Sequence, residues 1–336
     1  MGEAGSPDRR VRVYEVGPRD GLQNEARVLS TADKLGFIRL LAAAGLTEIE
    51  ATSFVRPSAI PQLADADQVI RELVASHPSG PGEWIGPAGS VRYPVLVPNE
   101  RGMDRAEAAG ANALAVFSAA SDAFTRHNIG MTIAESLAAF KPVLARATTL
   151  GWWRRGYVST AFGCPYSGAV EPRSVIEVAL RIADLGIDEI CFGDTIGVGV
   201  PDQVDELAGL AIAAGLGPDR LAFHFHDTRG TALANVAAGL RAGIRTFDAA
   251  TGGTGGCPYA PGAAGNLATE DLVYFLDASG WQTGVRLAGV LEAARHIAGL
   301  LGRPLASKVG QAGGWDPASG AATGLAPGSA IGSAPG

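Results

Sequence analysis

Apolar, β-rich runs alternate with stretches of 3.6-residue periodicity about eight times along the chain, and this alternation constrains the fold more than any other feature. The strand candidates are VRVYEV (11–16), EIEATS (48–53), RYPVLV (92–97), ALAVFS (113–118), RGYVST (155–160), EICFGD (189–194), LAFHFH (221–226) and RTFDAA (245–250). Helical patterns lie between them, clearest over 31–45, 135–151 and 172–186. Such alternation predicts a parallel sheet with crossover helices. Eight units favour closure into an α/β, (β/α)8 TIM barrel over an open doubly wound sheet. A dinucleotide-binding open sheet would need GxGxxG after the first strand, where this chain has GPRDGLQNE (17–25).

Several helical patterns end in Gly, as a helix C-terminus prefers, and Thr31 and Ser174 occupy expected N-cap positions. Residues 284–303 are expected to form an extra C-terminal helix outside or across the barrel. Residues 78–90, PSGPGEWIGPAGS in their Pro/Gly-rich core, fall between a helix and the third strand, which places them at the bottom of a barrel. The domain expectation is a disordered N-terminus over 1–10, a barrel with C-terminal helices over 11–305, and a low-complexity disordered tail over 311–336.

The chain has 336 residues, 47% of them hydrophobic, enough for one large core. A net charge of −7 argues against a general nucleic-acid or anionic-membrane partner, while a few local arginines could still bind a phosphorylated ligand. No run of about 18 apolar residues occurs. MGEAGSPDRR lacks an apolar leader core and APG is no peroxisomal address, so a cytoplasmic location is expected. Cys164, Cys191 and Cys257 form no CxxC pair, as expected of reduced thiols.

Barrel active sites gather at the C-terminal ends of the strands. The strand assignments bring one set of polar groups to that face: Arg19-Asp20 after strand one, Glu50 at strand two, Asp194-Thr195 at strand six, HFHDT (224–228) at strand seven, and Cys257 and Asn266 after strand eight. Residues two apart in a strand face the same way, so His224 and His226 point inward together as a natural pair of metal ligands. Core hydrogen bonding is the plainer alternative for both. Asp20 can form an Asx-turn or neutralise a metal held by that pair. Asn266 can cap the following helix or offer its carbonyl oxygen, and a cap at Thr269 would leave it free. Cys257 lies on a glycine-rich stretch at the barrel mouth, where a catalytic thiol and a closing lid are both reasonable. Cys164 is expected to be structural, and Cys191 to lie in the core.

These motifs, EVGPRDGLQNE (15–25), EATSFV (50–55), GCPYSG (163–168), GDTIGVG (193–199), HFHDT (224–228) and GGCPYAPGAAGNLATEDLVY (255–274), closely resemble those of the hydroxymethylglutaryl-CoA lyase family of metallolyase barrels, over about residues 11–310. The resemblance implies cleavage of an acyl-CoA thioester, 3-hydroxy-3-methylglutaryl-CoA, to acetyl-CoA and acetoacetate with Mg2+ or Mn2+. It also implies a homodimer and a place in leucine degradation. By position, Asp20, His224, His226 and Asn266 resemble the metal ligands. Arg19 resembles the residue that polarises the thioester carbonyl, Cys257 the thiol that protonates the enolate, and Glu50 and Asp194 supporting acids. The chain departs from the family in reading GGTGG where GGLGG or GLGG is usual, and in the 78–90 segment.

The chemistry is consistent with those residue types. Breaking the C2–C3 bond requires loss of the C3 hydroxyl proton, which a bound divalent cation promotes, and a cationic partner for the enolate, which Arg19 supplies. Asp20 and His224 are both candidates for the base, and a thiol such as Cys257 is a reasonable proton donor. A Schiff-base route needs a lysine at a strand end. The chain's lysines, Lys34, Lys141 and Lys308, fall in outer helices or beyond the eighth unit, which disfavours that route and biotin-dependent carboxyl transfer. Arg126 and His127, expected in the loop after strand four, are candidates for the CoA phosphates, with solvated surface charge as the alternative. Competing readings are a Claisen-type synthase resembling isopropylmalate or homocitrate synthase, a lyase for a longer isoprenyl-glutaryl-CoA, and a non-catalytic acyl-CoA-binding barrel.

Overall fold

The computed structural model of the chain describes residues 9–76, 85–86, 89–256, 264–316 and 321–323. Nine strand segments form one all-parallel sheet: β1 (Arg12–Glu15), β2 (Glu48–Ile49), β3 (Thr52–Ser53), β4 (Val95–Leu96), β5 (Ala113–Ala119), β6 (Trp153–Ser159), β7 (Glu189–Asp194), β8 (Leu221–Phe225) and β9 (Thr246–Ala249). Their order is β2-β1-β9-β8-β7-β6-β5-β4-β3. The two ends of that order are halves of one strand, 48–53. Across its break, Glu50 N donates to Glu15 O at 2.8 Å on one side and Ala51 N donates to Pro94 O at 3.0 Å on the other. The sheet therefore closes on itself as the expected eight-stranded barrel.

Helices α1 (Thr31–Ala43), α2 (Ala66–Ala75), α3 (Glu100–Ala109), α4 (Asp122–Ile129), α5 (Ile133–Thr149), α6 (Pro172–Ala183), α7 (Pro201–Ala213), α8 (Ala232–Arg241) and α9 (Thr269–Ala278) alternate with the strands. The expected extra helix is α10 (Leu287–Leu301), packed against α1, and a short α11 (Lys308–Ala312) follows. Two expected caps shift. Ser30, not Thr31, accepts from Asp33 N at the start of α1. Ser174 lies inside α6, which begins on Pro172, whose missing N–H costs nothing at the first helical position. Gly45 and Gly151, just past α1 and α5, take left-handed φ of 103° and 70°, the conformation that lets the chain turn off a helix.

Period-two alternation divides each strand between two layers. Outward residues such as Val158, Ile190, Phe192, Phe223, Phe225 and Phe247 join the core between barrel and helices. Inward residues are mostly polar: Arg155 and Tyr157 on β6, Glu189 and Cys191 on β7, His224 on β8 and Asp248 on β9, all at most 9% exposed. The barrel interior is thus a charged column rather than an aliphatic core. Arg155, fully buried, stacks its guanidinium 3.7 Å from the Tyr14 ring and donates to Asp248 Oδ1 at 2.6 Å.

Parts of the segments expected to be disordered are among the described residues. The backbones of Arg9 and Val11 hydrogen-bond that of Gln282. Within the expected tail, Gly314–Asp316 pairs antiparallel with Ala321–Thr323. In the 78–90 segment, Ile85–Gly86 pairs with Gly89–Ser90. Residues 1–8, 77–84, 87–88, 317–320 and 324–336 lie outside the described ones.

Candidate active site and metal centre

Strand β1 delivers the first functional pair through a wide turn. The backbone N–H groups of Arg19, Asp20 and Gly21 all point to Val16 O, at 3.1, 2.8 and 3.1 Å. This turn lifts Arg19 and Asp20 to the C-terminal mouth. Arg19 is 7% exposed; its Nε donates to Glu50 Oε1 and its Nη1 to Asp20 Oδ1. Burial disfavours the guanidinium charge, but Glu50 and Asp20 outweigh it and hold Arg19 firmly protonated. Glu50 itself is fully buried and accepts two further bonds, from Tyr14 Oη at 2.9 Å and Tyr157 Oη at 2.7 Å. It fixes the arginine from behind and does not reach the cavity.

His224 ends the inward face of β8, and His226 follows two residues on, opposite Asn266. One ligand atom each from Asp20, His224 and His226 lies within 4.8 Å of the others. Asn266 Nδ2 donates to Asp20 Oδ2 at 2.9 Å and to Thr254 O at 3.0 Å, so its donors are taken. Its Oδ1, like His226 Nδ1, is buried without a hydrogen-bond partner among the described residues. A buried, unpartnered carbonyl oxygen is costly unless something binds it. Beside a carboxylate and two imidazoles it completes an O/N donor set suited to a divalent cation, so the residues present fit a metal. Asn266 does not cap α9. Nor does Thr269, which lies in the first turn and donates its hydroxyl to Glu15 Oε2.

The electrostatics of the cluster are divided. Burial pushes the Asp20 carboxyl up, but Arg19, both histidines and Asn266 overcome it and hold the carboxyl at about 2. Burial, reinforced by His224, holds His226 down at about 3. Burial also opposes the His224 charge, yet its hydrogen bond to Asp248 raises it overall. The site therefore offers one carboxylate and at least one neutral imidazole near neutral pH, the ionisation states that metal ligation requires.

Asp20, His224 and His226 form one wall of a cavity of about 440 Å³. Arg19, Gln23, Asn24, Tyr157, Ser159 and Thr195 continue its polar side, while Val55, Ile60, Leu96, Phe117, Phe124 and Ile129 make an apolar side. Asp194, expected as a supporting acid, lies behind this wall. Its oxygens accept from Val198 N at 3.0 Å and Gly199 N at 2.9 Å and so shape the loop after β7. Arg126 and His127 lie on α4 rather than in a loop. Arg126 is exposed and absent from the cavity lining, although Phe124, Asn128 and Ile129 of the same helix are part of it. His127 stacks 4.0 Å from the ring of Tyr166. Cys257 lies outside the described residues. Two residues before it, a Cβ on Gly255 would lie 3.1 Å from Asp20 O and 2.7 Å from Asn266 Nδ2. Cys191 is fully buried inside the barrel, as expected. Cys164, also buried, donates its thiol to Ser121 Oγ at 3.1 Å, a structural setting.

Sequence reasoning passed over Asp248, Arg155 and the tyrosine pair behind Glu50. The available signal was a charged residue at an inward position of an apolar strand, RTFDAA and RGYVST, since a buried unpaired charge is too costly to occur there without a partner.

Known proteins agree with this geometry. The HMGL-like family model matches residues 10–297. Hydroxymethylglutaryl-CoA lyase of Pseudomonas mevalonii is 49% identical over 302 residues, 90% of this chain and 96% of that protein. The crystal structure of the Bacillus subtilis HMG-CoA lyase superposes with a TM-score of 0.84 at 43% identity, covering 90% of this chain and 97% of the other. An HMG-CoA lyase from Acinetobacter baumannii, solved in complex with coenzyme A and 3-methylmalate, superposes with a TM-score of 0.83 at 37% identity, covering 92% and 97%. A family match across nearly the whole barrel, on a chain whose strand ends converge as described, leads to one conclusion: the chain belongs to the HMGL-like family.

Proposed function

We propose that the chain is a metal-dependent carbon–carbon lyase that cleaves 3-hydroxy-3-methylglutaryl-CoA to acetyl-CoA and acetoacetate. The observation that carries this reading is the juxtaposition of the Asp20–His224–His226 cluster with the buried Arg19 guanidinium on one cavity wall. The names of the similar lyases and the coenzyme A in one solved relative support it.

Asp20, His224, His226 and Asn266 are the proposed ligands of a divalent cation, Mg2+ or Mn2+, which when bound would acidify and orient a hydroxyl group. The rest is done by side chains. Arg19 points two fixed donors into carboxylates and keeps its remaining N–H groups for the thioester oxygen, where charge develops as the C2–C3 bond breaks. Its partners Glu50, Tyr14 and Tyr157 keep it from swinging away, so little reorganisation is needed at the moment of reaction. The hydroxyl proton passes to Asp20, the carboxylate of the proposed ligand set. Cys257 returns a proton to the enolate carbon from the loop whose flanking glycines pack on Asp20 and Asn266. The apolar side of the cavity excludes water and accommodates the acyl and pantetheine carbons.

In its cellular setting, this activity would serve leucine degradation in the cytoplasm. No helix among the described residues is long and apolar enough to cross a membrane. A homodimer is the proposed assembly.

The deciding experiment is to assay the purified chain on 3-hydroxy-3-methylglutaryl-CoA and on an isoprenyl-extended analogue, before and after exhaustive EDTA treatment. Turnover of the short substrate that disappears with EDTA and returns with Mg2+ or Mn2+ is expected. Activity that survives complete metal removal rejects the metal role, and preference for the extended analogue rejects the substrate assignment.

A further inference from the structure

We propose that Asp248 is a positioning residue that locks the ring of His224 in one tautomer and orientation, so that its Nε2 is presented to the cation. The inference rests on the metal centre proposed above and adds a residue outside its ligand set. Three observations carry it. First, His224 and Asp248 are direct register partners on the adjacent parallel strands β8 and β9. Their side chains face the barrel axis together, so the contact is built into the sheet rather than made by a flexible reach. Second, His224 Nδ1 lies 3.2 Å from Asp248 Oδ2. An ionised carboxylate can only accept, so Nδ1 must carry the hydrogen. Nε2 is then the one ring nitrogen with a free lone pair.

Third, Asp248 cannot rotate away. Arg155 donates to Oδ1 at 2.6 Å and to Oδ2 at 3.2 Å, and the carboxylate is 1% exposed. Arg155 is held in turn by the ring face of Tyr14, 3.7 Å away, and by Glu189, whose Oε1 lies 3.0 Å from its Nε. The hold on His224 therefore runs back through an ion-paired column to the middle of the barrel. Among the described residues His226 has no counterpart, for its Nδ1 is buried without a hydrogen-bond partner there. The two ligand histidines differ accordingly: His224 is pre-oriented, and His226 is not. Carboxylates that fix ligand imidazoles in this way typically change metal affinity 10–100-fold.

In Asp248→Asn the single carbonyl oxygen is claimed by the five donors of Arg155, which turns the amide NH2 toward His224 and favours the wrong tautomer. The test titrates the metal-free full-length protein with Mn2+, followed by electron paramagnetic resonance. The wild type, Asp248→Asn and Glu189→Gln are compared, with kcat and KM measured at saturating Mn2+. Asp248→Asn is expected to bind Mn2+ about 10–100-fold more weakly. Glu189→Gln, which disturbs the same Arg155 without touching His224, is expected to lose thermal stability but keep wild-type affinity.

Equal Mn2+ affinity in wild type and a folded Asp248→Asn overturns the positioning role. So does an equal loss of affinity in Glu189→Gln, which would mark general damage to the column. Failure of the wild type itself to bind Mn2+ would instead reject the metal centre. A measurement on the unmutated protein guards against a variant that does not fold: 15N-edited spectra of its histidine rings should show His224 as the Nδ1–H tautomer when neutral. The Nε2–H form would refute the proposal.

Discussion

Asn266 Nδ2 donates a 2.9 Å hydrogen bond to Asp20 Oδ2, joining the loop after β9 to the turn after β1 across 246 residues of sequence. The asparagine's Oδ1 is buried and has no hydrogen-bond partner among the described residues. Asn266→Ala removes a proposed ligand and the hydrogen bond to Asp20. It should weaken Mn2+ binding at least tenfold and lower kcat with it. Isothermal titration of the metal-free protein checks this, and full metal occupancy at wild-type concentrations would exclude Asn266 as a ligand.

Glu50 holds the Arg19 guanidinium in place and neutralises it in a buried site. Glu50→Gln keeps the shape but withdraws the charge, leaving Arg19 with Asp20 as its one charged partner among those described. Breaking a buried pair on one side costs about 3–5 kcal/mol. Urea denaturation should show a loss of that order, and kcat should fall by about 10²-fold or more as the arginine loses its aim. A folded variant with unchanged kcat would show that Glu50 serves packing alone.

The metal-free protein should lose stability as the pH falls. His226 is held at about 3 in the native state, whereas an exposed histidine titrates near about 6.5. Between those values the unfolded chain binds a proton that the native one does not, so stability decreases from about pH 6.5 downward. Asp20, held at about 2, adds stability that is present above about pH 4 and lost as pH drops through its native value. Glu270, pushed up by burial to about 7, has the opposite sign: its contribution is present at low pH and lost as pH rises through 7. The discriminating measurement is therefore a difference. His226→Asn should show a shallower fall in urea midpoint between pH 6.5 and 4 than the wild type, and parallel curves would mean His226 is not depressed.

Cys257→Ala should reduce kcat by roughly 10²–10⁴-fold, the range for a lost general acid, with Mn2+ affinity unchanged. In the proposed mechanism the thiol would enter only after the C–C bond has broken, so the two readouts separate. Near-normal turnover in this variant would remove the proton-donor role.

His224 and His226 show why much of the site could be read in the sequence. Their i, i+2 spacing on a strand fixes a common face whatever surrounds them, and strand-end placement then gathers Arg19, Asp20 and Asn266 at the same mouth. Asp194 and Arg126 show the limit. Both lie near the mouth in sequence terms, yet one turns its carboxylate to the backbone of Val198 and Gly199 and the other is exposed on α4. Those choices depend on loop and helix geometry that short-range patterning does not encode.

Alternation of strand and helix, read from the residues alone, determined the closed barrel and the inward histidine pair. Tertiary structure alone decided who holds whom. Asp248 meets His224 only because β8 and β9 are neighbours in register, and Glu50 meets Arg19, Tyr14 and Tyr157 only because the barrel closes through the break in strand 48–53. Side-chain type and period are local properties of the chain. Pairing of buried charges is a property of closure, which brings residues far apart in sequence to one low-dielectric axis where each must find a partner.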